Sequence, residues 1–182
     1  MREAAALADA EGLDALTLAR LAARLGVRAP SLYNHVAGLD ALHRELALLG
    51  LRELRERLGW AAIGRSGEDA VIALADAYRD YARARPGPYA AAQRAPDPTD
   101  PVWLAAGREV VDVVLAALVA FHLDGDGALH AVRGLRSVIH GFVALEAAGG
   151  FGLPLDVDES YRRLVRAYLL GLRAFSAPAA PG

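Results

Sequence analysis

Apolar residues recur every three or four positions along most of the chain, which is the spacing of one face of an α-helix. The clearest repeat is Leu39, Leu42, Leu46, Leu49 and Leu54, which predicts a long amphipathic helix over about 39–58. No β-branched run with a period of two reaches a useful length, so we expect no strands. The pattern therefore predicts an all-α protein.

Residues that start or stop helices divide this pattern into elements. Gly12 and Gly26 suit the left-handed conformation that follows a helix end, and Thr17 is a good N-cap. Pro86-Gly87-Pro88 is expected to break the helical pattern, and the turn at residues 124–127, with Asp126 as the cap, is expected to begin a new helix. The predicted helices cover about 2–11, 18–25, 29–36, 39–58, 66–85, 89–93, 101–122, 126–148 and 158–175.

The spacing of the elements predicts a small N-terminal domain and a larger helical domain. Residues 1–48 hold the three short helices, residues 49–175 hold the longer ones, and residues 176–182 form a proline- and alanine-rich tail that we expect to be flexible. The chain has no cysteine, which excludes disulfides and thiolate metal sites. The most apolar run, Val110–Leu123, is shorter than the roughly 20 residues that cross a bilayer. Because no signal peptide follows Met1, we expect a cytoplasmic protein.

A local excess of positive charge lies near the N-terminus, although the whole chain has a net charge of −2. Arg20, Arg24, Arg28 and Arg44 face only one acid, Asp40, within the segment from residue 17 to residue 44. A basic segment on a nearly neutral protein is a candidate for contact with nucleic acid.

The same segment meets the steric demands of a helix-turn-helix. Ala22 keeps the helix crossing close and Gly26 supplies the turn. An apolar set is expected to be buried together: Leu21, Leu25, Val27, Leu32 and Val36. The outer face then presents donors and small residues suited to the major groove: Arg28, Ala29, Pro30, Ser31, Tyr33, Asn34 and His35. The alternatives are an ordinary helical hairpin and, for Tyr33, a core aromatic.

This region resembles the tetracycline-repressor (TetR) family of bacterial regulators over about residues 4–50. The resemblance is carried by Gly12-Leu13-Asp14-Ala15-Leu16-Thr17, Leu21-Ala22, Leu25-Gly26-Val27 and Pro30-Ser31-Leu32-Tyr33-Asn34-His35-Val36. It implies phosphate contacts from Thr17, Tyr33 and His35. It also implies base-edge or groove contacts from Arg28, Ala29, Pro30, Ser31 and Asn34.

The larger domain resembles the C-terminal domain of one TetR subgroup, the WHG domain. Matching segments are Ile139-His140-Gly141-Phe142, Leu145-Glu146 and Gly149-Gly150-Phe151-Gly152, and Trp103 also fits. The resemblance implies a homodimer formed through the helices at about 126–148 and 158–175, and therefore a near-palindromic operator. We expect a repressor that a small, largely apolar ligand releases from DNA.

Aromatic residues of the larger domain are candidates for lining the ligand pocket. The set is Tyr78, Tyr81, Tyr89, Trp103, Phe121, His140 and Phe142, for each of which plain core packing is an equal alternative. His140 is the best polar candidate.

Two further hypotheses remain open. The first is a helical ligand carrier or metal-dependent enzyme using His122, Asp124, Asp126 and His130. A helix-capping turn explains the same residues. For the regulator itself we expect no catalytic residue, metal or cofactor. The second is a dimeric interaction module that does not bind DNA. Its support is Leu39, where family members often carry a lysine, and a first helix that starts several residues late.

Overall fold

The computed structural model describes residues 1–176, and all of its regular elements are helical. The predicted flexible tail, residues 176–182, therefore lies almost wholly outside the described residues. The helices are α1 (Arg2–Glu11), α2 (Leu18–Leu25), α3 (Ala29–Leu32), α4 (Leu39–Ala62), α5 (Gly67–Ala84), α6 (Pro86–Ala92), α7 (Pro101–Leu118), α8 (Gly125–Ala147) and α9 (Val157–Ser176), with 3₁₀ turns at Leu13–Ala15 and Val119–Phe121. The predicted all-α class is confirmed.

Most predicted helix ends are observed for the reasons given by the sequence. Gly12 follows α1 with φ 87°, and Gly26 follows α2 in the left-handed conformation with φ 68°. The side chain of Thr17 accepts a hydrogen bond from the Arg20 N–H at 3.2 Å and so caps α2. Asp100 caps α7 in the same way, because its carboxylate accepts from the N–H groups of Val102 and Trp103, both at 3.1 Å.

Several predicted boundaries differ from the structure. Helix α4 continues to Ala62 rather than about Leu58, and α7 ends at Leu118 and is followed by the 3₁₀ turn. Helix α3 ends at Leu32 rather than Val36, and the chain continues in turns. The predicted break after α5 is observed at Arg85, but the next helix begins at Pro86 rather than Tyr89, because proline costs little in a first turn where backbone N–H groups have no helical partner. Helix α8 is capped by Asp124 and not Asp126, since the Asp124 carboxylate accepts from the Gly127 N–H at 2.6 Å.

The chain divides into two compact units that do not follow chain order. Unit 1 contains Met1–Glu56 and Ala84–Val110, and unit 2 contains Arg57–Arg83 and the chain from Val111 onward. Helices α4 and α7 therefore each contribute to both units. The predicted domain boundary at residue 48, as a division of function, stays a prediction.

Unit 1 has an aliphatic core built from α1 to α4 together with α6 and the start of α7. Its buried members are Ala4, Ala5, Leu7, Leu16, Leu21, Ala22, Leu32, Leu42, Leu46, Ala47, Leu48, Leu51, Ala91, Ala92 and Trp103. Helix α6 lies so close that a Cβ on Gly87 would stand 2.6 Å from the carbonyl carbon of Ala8. Arg85 strengthens this contact by pairing with Asp9 of α1 and Glu53 of α4. The three N-terminal helices therefore share one core with residues far along the chain.

Unit 2 combines an apolar core with a buried arginine. The Arg79 guanidinium lies 4.6 Å from the ring centre of Tyr161 and 5.3 Å from that of Phe142. It pairs with Glu146 of α8 at 2.6 Å and Asp158 of α9 at 2.8 Å. Because Arg79 belongs to α5, these bonds join three helices of the unit.

Candidate nucleic-acid interface

The helix-turn-helix of unit 1 is formed by α2, the Gly26 turn and α3. Leu21 and Ala22 of α2 and Leu32 of α3 are buried. The N–H of Val27 donates to the carbonyl of Ala22 at 3.0 Å and so closes the turn. The small residue at the crossing and the glycine in the turn occupy the positions that their chemistry predicts.

The predicted apolar set is only partly buried. Leu21 and Leu32 are buried and Val36 is half-buried, but Leu25 and Val27 are each 44% exposed. Leu25 is the last residue of α2 and Val27 lies just after the turn, so both extend past the stretch of α2 that the core covers. The prediction that these two residues are buried is wrong.

Most of the predicted DNA-contacting side chains lie on the surface. Ala29 and Thr17 are half-buried, and Tyr33 is 61% exposed, which rules out its alternative role as a core aromatic in this structure. The exposed members are Arg28, Pro30, Ser31, Tyr33, Asn34 and His35. A single short segment therefore presents a cation, hydroxyls, an amide and an imidazole. These groups can donate to phosphates or to base edges.

The shortness of α3 affects how these residues are held. After Leu32, the N–H groups of His35 and Val36 both donate to the Leu32 carbonyl at 2.9 Å. Tyr33, Asn34 and His35 are thus positioned by a hydrogen-bonded turn rather than by a further turn of α-helix.

The positive charge of this region is lower than the residue count indicates. Arg20 pairs with Glu11, Arg24 pairs with Glu3 at 3.0 Å, and Arg44 pairs with Asp100. The Arg44 guanidinium and backbone N–H groups lower the pKa of Asp100 to about 2, so this carboxylate is ionised at neutral pH. Among the described residues, Arg28 alone of the four arginines has no recorded ion pair.

The predicted ligand-pocket residues are divided between the two units. Tyr89 and Trp103 belong to unit 1, whereas the other five belong to unit 2. All except His140 are buried. Phe142 packs against Phe151 and Tyr161, with ring centres 4.6 and 5.0 Å apart. Burial lowers the pKa of His140, and the positive charge of Arg136 adds to this effect. The role of these seven residues in ligand binding stays a prediction.

Unit 2 contains an open cleft that the aromatic set does not line. The cleft has a volume of about 710 Å³ and lies where the start of α8 meets the end of α9. Its lining consists of His122, Leu123, Asp124, Gly127, His130, Ala131, Ala167, Tyr168, Gly171 and Leu172. Three of the residues considered for metal binding line this cleft. However, within residues 1–176 no group of three or more His, Cys, Asp or Glu side chains is arranged to hold a metal ion.

Sequence reasoning missed two features. The first is the pairing of Arg20 and Arg24 with acids of α1, which local spacing does not reveal because the partners lie 9 and 21 residues away. The second is the buried Arg79 network. A signal for it was available, because Arg79 follows Tyr78 on the apolar face of α5, where a charge needs a buried partner.

Family models match both parts of the chain. A model described as "Bacterial regulatory proteins, tetR family" matches residues 1–46, and one described as "Tetracyclin repressor-like, C-terminal domain" matches residues 71–168. No helix in the described part of the chain is long and apolar enough to cross a membrane.

Curated relatives are similar along most of the chain. The uncharacterised HTH-type transcriptional regulator YobS of Bacillus subtilis is 39% identical over 176 residues, covering 93% of this chain and 88% of YobS. The uncharacterised HTH-type transcriptional regulator Rv0681 of Mycobacterium tuberculosis is 38% identical over 165 residues, covering 90% of this chain and 75% of Rv0681.

Solved structures share the fold at lower identity. A TetR variant from Acinetobacter baumannii, in complex with minocycline, aligns with a TM-score of 0.73 and 22% identity over 97% of this chain and 96% of that one. Mycobacterium smegmatis BioQ aligns with a TM-score of 0.67 and 21% identity over 95% of each chain.

Proposed function

The chain belongs to the TetR family of transcriptional regulators, and from this premise we propose that it is a homodimeric repressor released from a near-palindromic operator by a small, largely apolar ligand. The observation that carries the proposal is the exposure of six polar or small residues beside a closely packed helix crossing: Arg28, Pro30, Ser31, Tyr33, Asn34 and His35. The protein has no catalytic role in this proposal.

The proposed DNA-contacting residues divide into two roles. Arg28, Ala29, Pro30, Ser31 and Asn34 contact base edges or the groove, with Arg28 as the strongest donor because its guanidinium can bond two acceptors of one guanine. Thr17, Tyr33 and His35 contact phosphates. The Thr17 hydroxyl accepts its cap bond from Arg20, so its own hydrogen remains available to donate to a phosphate oxygen.

Exposed leucines on the last two helices support the homodimer. Leu129 and Leu145 of α8 and Leu164 and Leu170 of α9 are exposed although they are large and apolar. Burial of such side chains against a second copy removes apolar area from water. Sedimentation velocity measures this directly, and a monomer at micromolar concentration would rule out the dimer.

The test of the function is a binding titration with duplexes tiling the DNA upstream of the protein's own gene. At one stated salt concentration, we expect one duplex to bind about a thousandfold or more tighter than a shuffled sequence. Equal affinity for the two would overturn the proposal.

Two substitutions then test the assigned roles. Arg28→Ala is expected to reduce discrimination between operator and mismatched duplexes on the order of tenfold to a hundredfold. Tyr33→Phe is expected to weaken operator and shuffled DNA by similar factors, since a phosphate contact carries no sequence information. If both variants bind operator and shuffled DNA with the affinities of the parent, the assignment of Arg28 and Tyr33 as DNA contacts is wrong.

The ligand is proposed to bind within unit 2, where Tyr78, Tyr81, Phe121, His140 and Phe142 lie. The minocycline complex of the A. baumannii variant is one example of a neighbour that binds a small molecule. A screen for compounds that release the operator duplex tests this part. Compounds that release DNA without binding the isolated protein would contradict it.

A further inference from the structure

The N-cap of α2 and two arginines of the helix form a stripe along one side of it. Thr17, Arg20 and Arg24 are spaced three and four residues apart, so their side chains lie along one face. The side chains of Arg20 and Arg24 are 48% and 40% exposed. The first member of this stripe is a proposed phosphate contact, and the next two are the cations that follow it along the helix.

Acids of α1 neutralise both arginines. Helices α1 and α2 run in opposite directions, so that Glu11 at the end of α1 pairs with Arg20 and Glu3 at its start pairs with Arg24. Arg24 lowers the pKa of Glu3, which keeps this carboxylate ionised at neutral pH. Each arginine meets one carboxylate from α1, and each pair remains open to solvent.

The third paired arginine of the segment, Arg44, has a more buried carboxylate partner. Both carboxylate oxygens of Asp100 bind the Arg44 guanidinium, at 2.5 and 3.1 Å, and only 13% of the Asp100 side chain is exposed. Asp100 also caps α7. The Arg44 pair therefore holds two elements of unit 1 together, whereas the pairs of α2 are single surface contacts of small intrinsic strength.

We propose that Arg20 and Arg24 form a second DNA-backbone contact, and that Glu11 and Glu3 take the place of two phosphates on these arginines in the free protein. The inference rests on the proposed DNA binding. A phosphate oxygen accepts the same charge-assisted hydrogen bonds as a carboxylate oxygen, so DNA can exchange with the acids without moving α2. The acids of α1 thus lower the affinity of the helix-turn-helix for DNA of any sequence.

The size of the effect follows from the weakness of an exposed pair. Glu11→Gln or Glu3→Gln removes a competitor for one arginine, and we expect each to tighten DNA binding by up to about fivefold. Arg20→Gln removes a phosphate contact, and we expect the slope of log affinity against log salt to fall by about 1. Operator and shuffled duplexes respond alike, because phosphates are the same in both.

A double-mutant cycle separates this exchange from a simple change in net charge. Affinities are measured for the full chain and for Glu11→Gln, Arg20→Gln and the double variant, on operator and shuffled duplexes. We expect Glu11→Gln to tighten binding in the parent and to have little effect once Arg20 is absent. The same cycle with Glu3 and Arg24 is a second test, made in an Arg2→Gln background because Glu3 also pairs with Arg2 at 3.7 Å.

Asp40→Asn is the charge-matched control. Asp40 is exposed, lies at the start of α4 and has no recorded ion pair with an arginine. Its removal changes the net charge by the same amount, so any gain it brings is expected to be equal with and without Arg20. Circular dichroism melts verify that all variants fold.

The outcomes of the cycle distinguish failure of the proposed exchange on α2 from failure of the proposed repressor function. If Glu11→Gln tightens binding equally with and without Arg20, or not at all, the exchange is overturned. If the parent shows no operator preference but the cycle on shuffled DNA has the expected form, the exchange stands and the repressor proposal fails. If no variant binds any duplex even at low salt, both fail.

Discussion

The arginines of α2 in unit 1 and Arg79 in unit 2 have opposite surroundings. In unit 1, Arg20 and Arg24 are nearly half exposed and each has one α1 carboxylate at the surface. In unit 2, the Arg79 side chain is 7% exposed and lies between two aromatic rings and two carboxylates. A surface pair can be exchanged for another anion at little cost, whereas a buried charge depends on its partners. Burial therefore distinguishes arginines available for recognition from those that hold the fold.

The two units also differ in what holds their helices together. Unit 1 brings α6 against α1 and α4 through glycine and alanine, with Gly87 against Ala8 and Gly50 against Pro88. Unit 2 joins α5, α8 and α9 through Arg79, and the Tyr161 hydroxyl adds a 2.5 Å bond to the Ala75 carbonyl of α5. Substitutions that target one means of packing should leave the other unit intact.

The largest effect is expected from breaking the buried pair. Glu146→Gln leaves Arg79 with only Asp158 as a carboxylate partner, and we expect the free energy of unfolding to fall by about 3 kcal/mol. Urea unfolding followed by circular dichroism measures it. Glu159→Gln is the control, because Glu159 makes only exposed pairs with Arg162 and Arg163 on its own helix. Equal losses from the two variants would refute the contrast between buried and exposed pairs.

A smaller effect is expected from adding one methyl group between α6 and α1. The Cβ of Gly87→Ala would lie 2.6 Å from a backbone carbon of Ala8 and 2.7 Å from the Asp9 nitrogen, so the helices must separate. We expect a loss of about 2 kcal/mol from overpacking.

Gly107→Ala is the matched control in unit 1. A Cβ at this position of α7 meets no atom within 4 Å, and alanine is the better helix former, so a gain of about 0.5–1 kcal/mol is expected. The same urea experiment measures both variants. A tolerated Gly87→Ala would show that α6 does not need its close approach to α1.

Substitutions at two helix caps are expected to have smaller effects on stability, and only one of them should affect DNA binding. Thr17→Ala and Asp124→Ala each remove a side chain that accepts from the first turn of a helix, and each is expected to cost about 1 kcal/mol. Only Thr17→Ala should also weaken DNA binding, because Thr17 begins the stripe on α2. Thermal melts and DNA titrations of both variants test this. Equal loss of DNA affinity would mean that Thr17 acts through stability alone.

The smallest expected effect is a loss of stability when the pH falls into the mildly acidic range. Burial and the nearby Arg94 lower the pKa of His43, while Asp40 and Asp14 oppose this shift. Its Nδ1 lies 2.9 Å from an Arg94 nitrogen, a bond that neutral imidazole can accept. Because the folded pKa is below the ordinary value of 6.5, the unfolded chain binds the proton first, and unit 1 loses stability as the pH falls below 6.5.

Unit 2 has a histidine that responds in the same range, because the lowered pKa of His140 also costs stability below pH 6.5, and a carboxylate that responds only at lower pH. Arg79 and Arg83 lower the pKa of Glu146 to about 2, so its contribution is complete above the ordinary value of 4.5 and is lost as the pH falls toward 2. Amide hydrogen exchange from pH 7 to pH 5 is expected to show lower protection in both units, with His43→Gln removing the loss in unit 1 and His140→Gln removing the loss in unit 2. A loss of protection in unit 1 that persists in His43→Gln would contradict the role given to His43.

Local sequence signals predicted most helix boundaries but not the length of α3. Gly12, Thr17 and Gly26 act through their own backbone conformations or a hydrogen bond within four residues, so their roles are visible in the sequence. Val36 has the same apolar character as Leu32, and only the packing shows that the helix stops before it. Leu25 and Val27 were predicted to be buried because hydrophobicity does not reveal where the covering core ends.

By itself, the sequence determined the helical class, the helix-turn-helix and the family, because these depend on periodicity and short-range stereochemistry. The tertiary structure alone decided which charges remain available. Arg20, Arg24 and Arg44 have similar local surroundings in the sequence, yet their partners lie 9, 21 and 56 residues away. Only folding brings such groups together, and it leaves Arg28, within the described residues, as the arginine of that segment without an ion pair. The same physical reason explains why the exchange proposed for α1 could not be predicted from spacing.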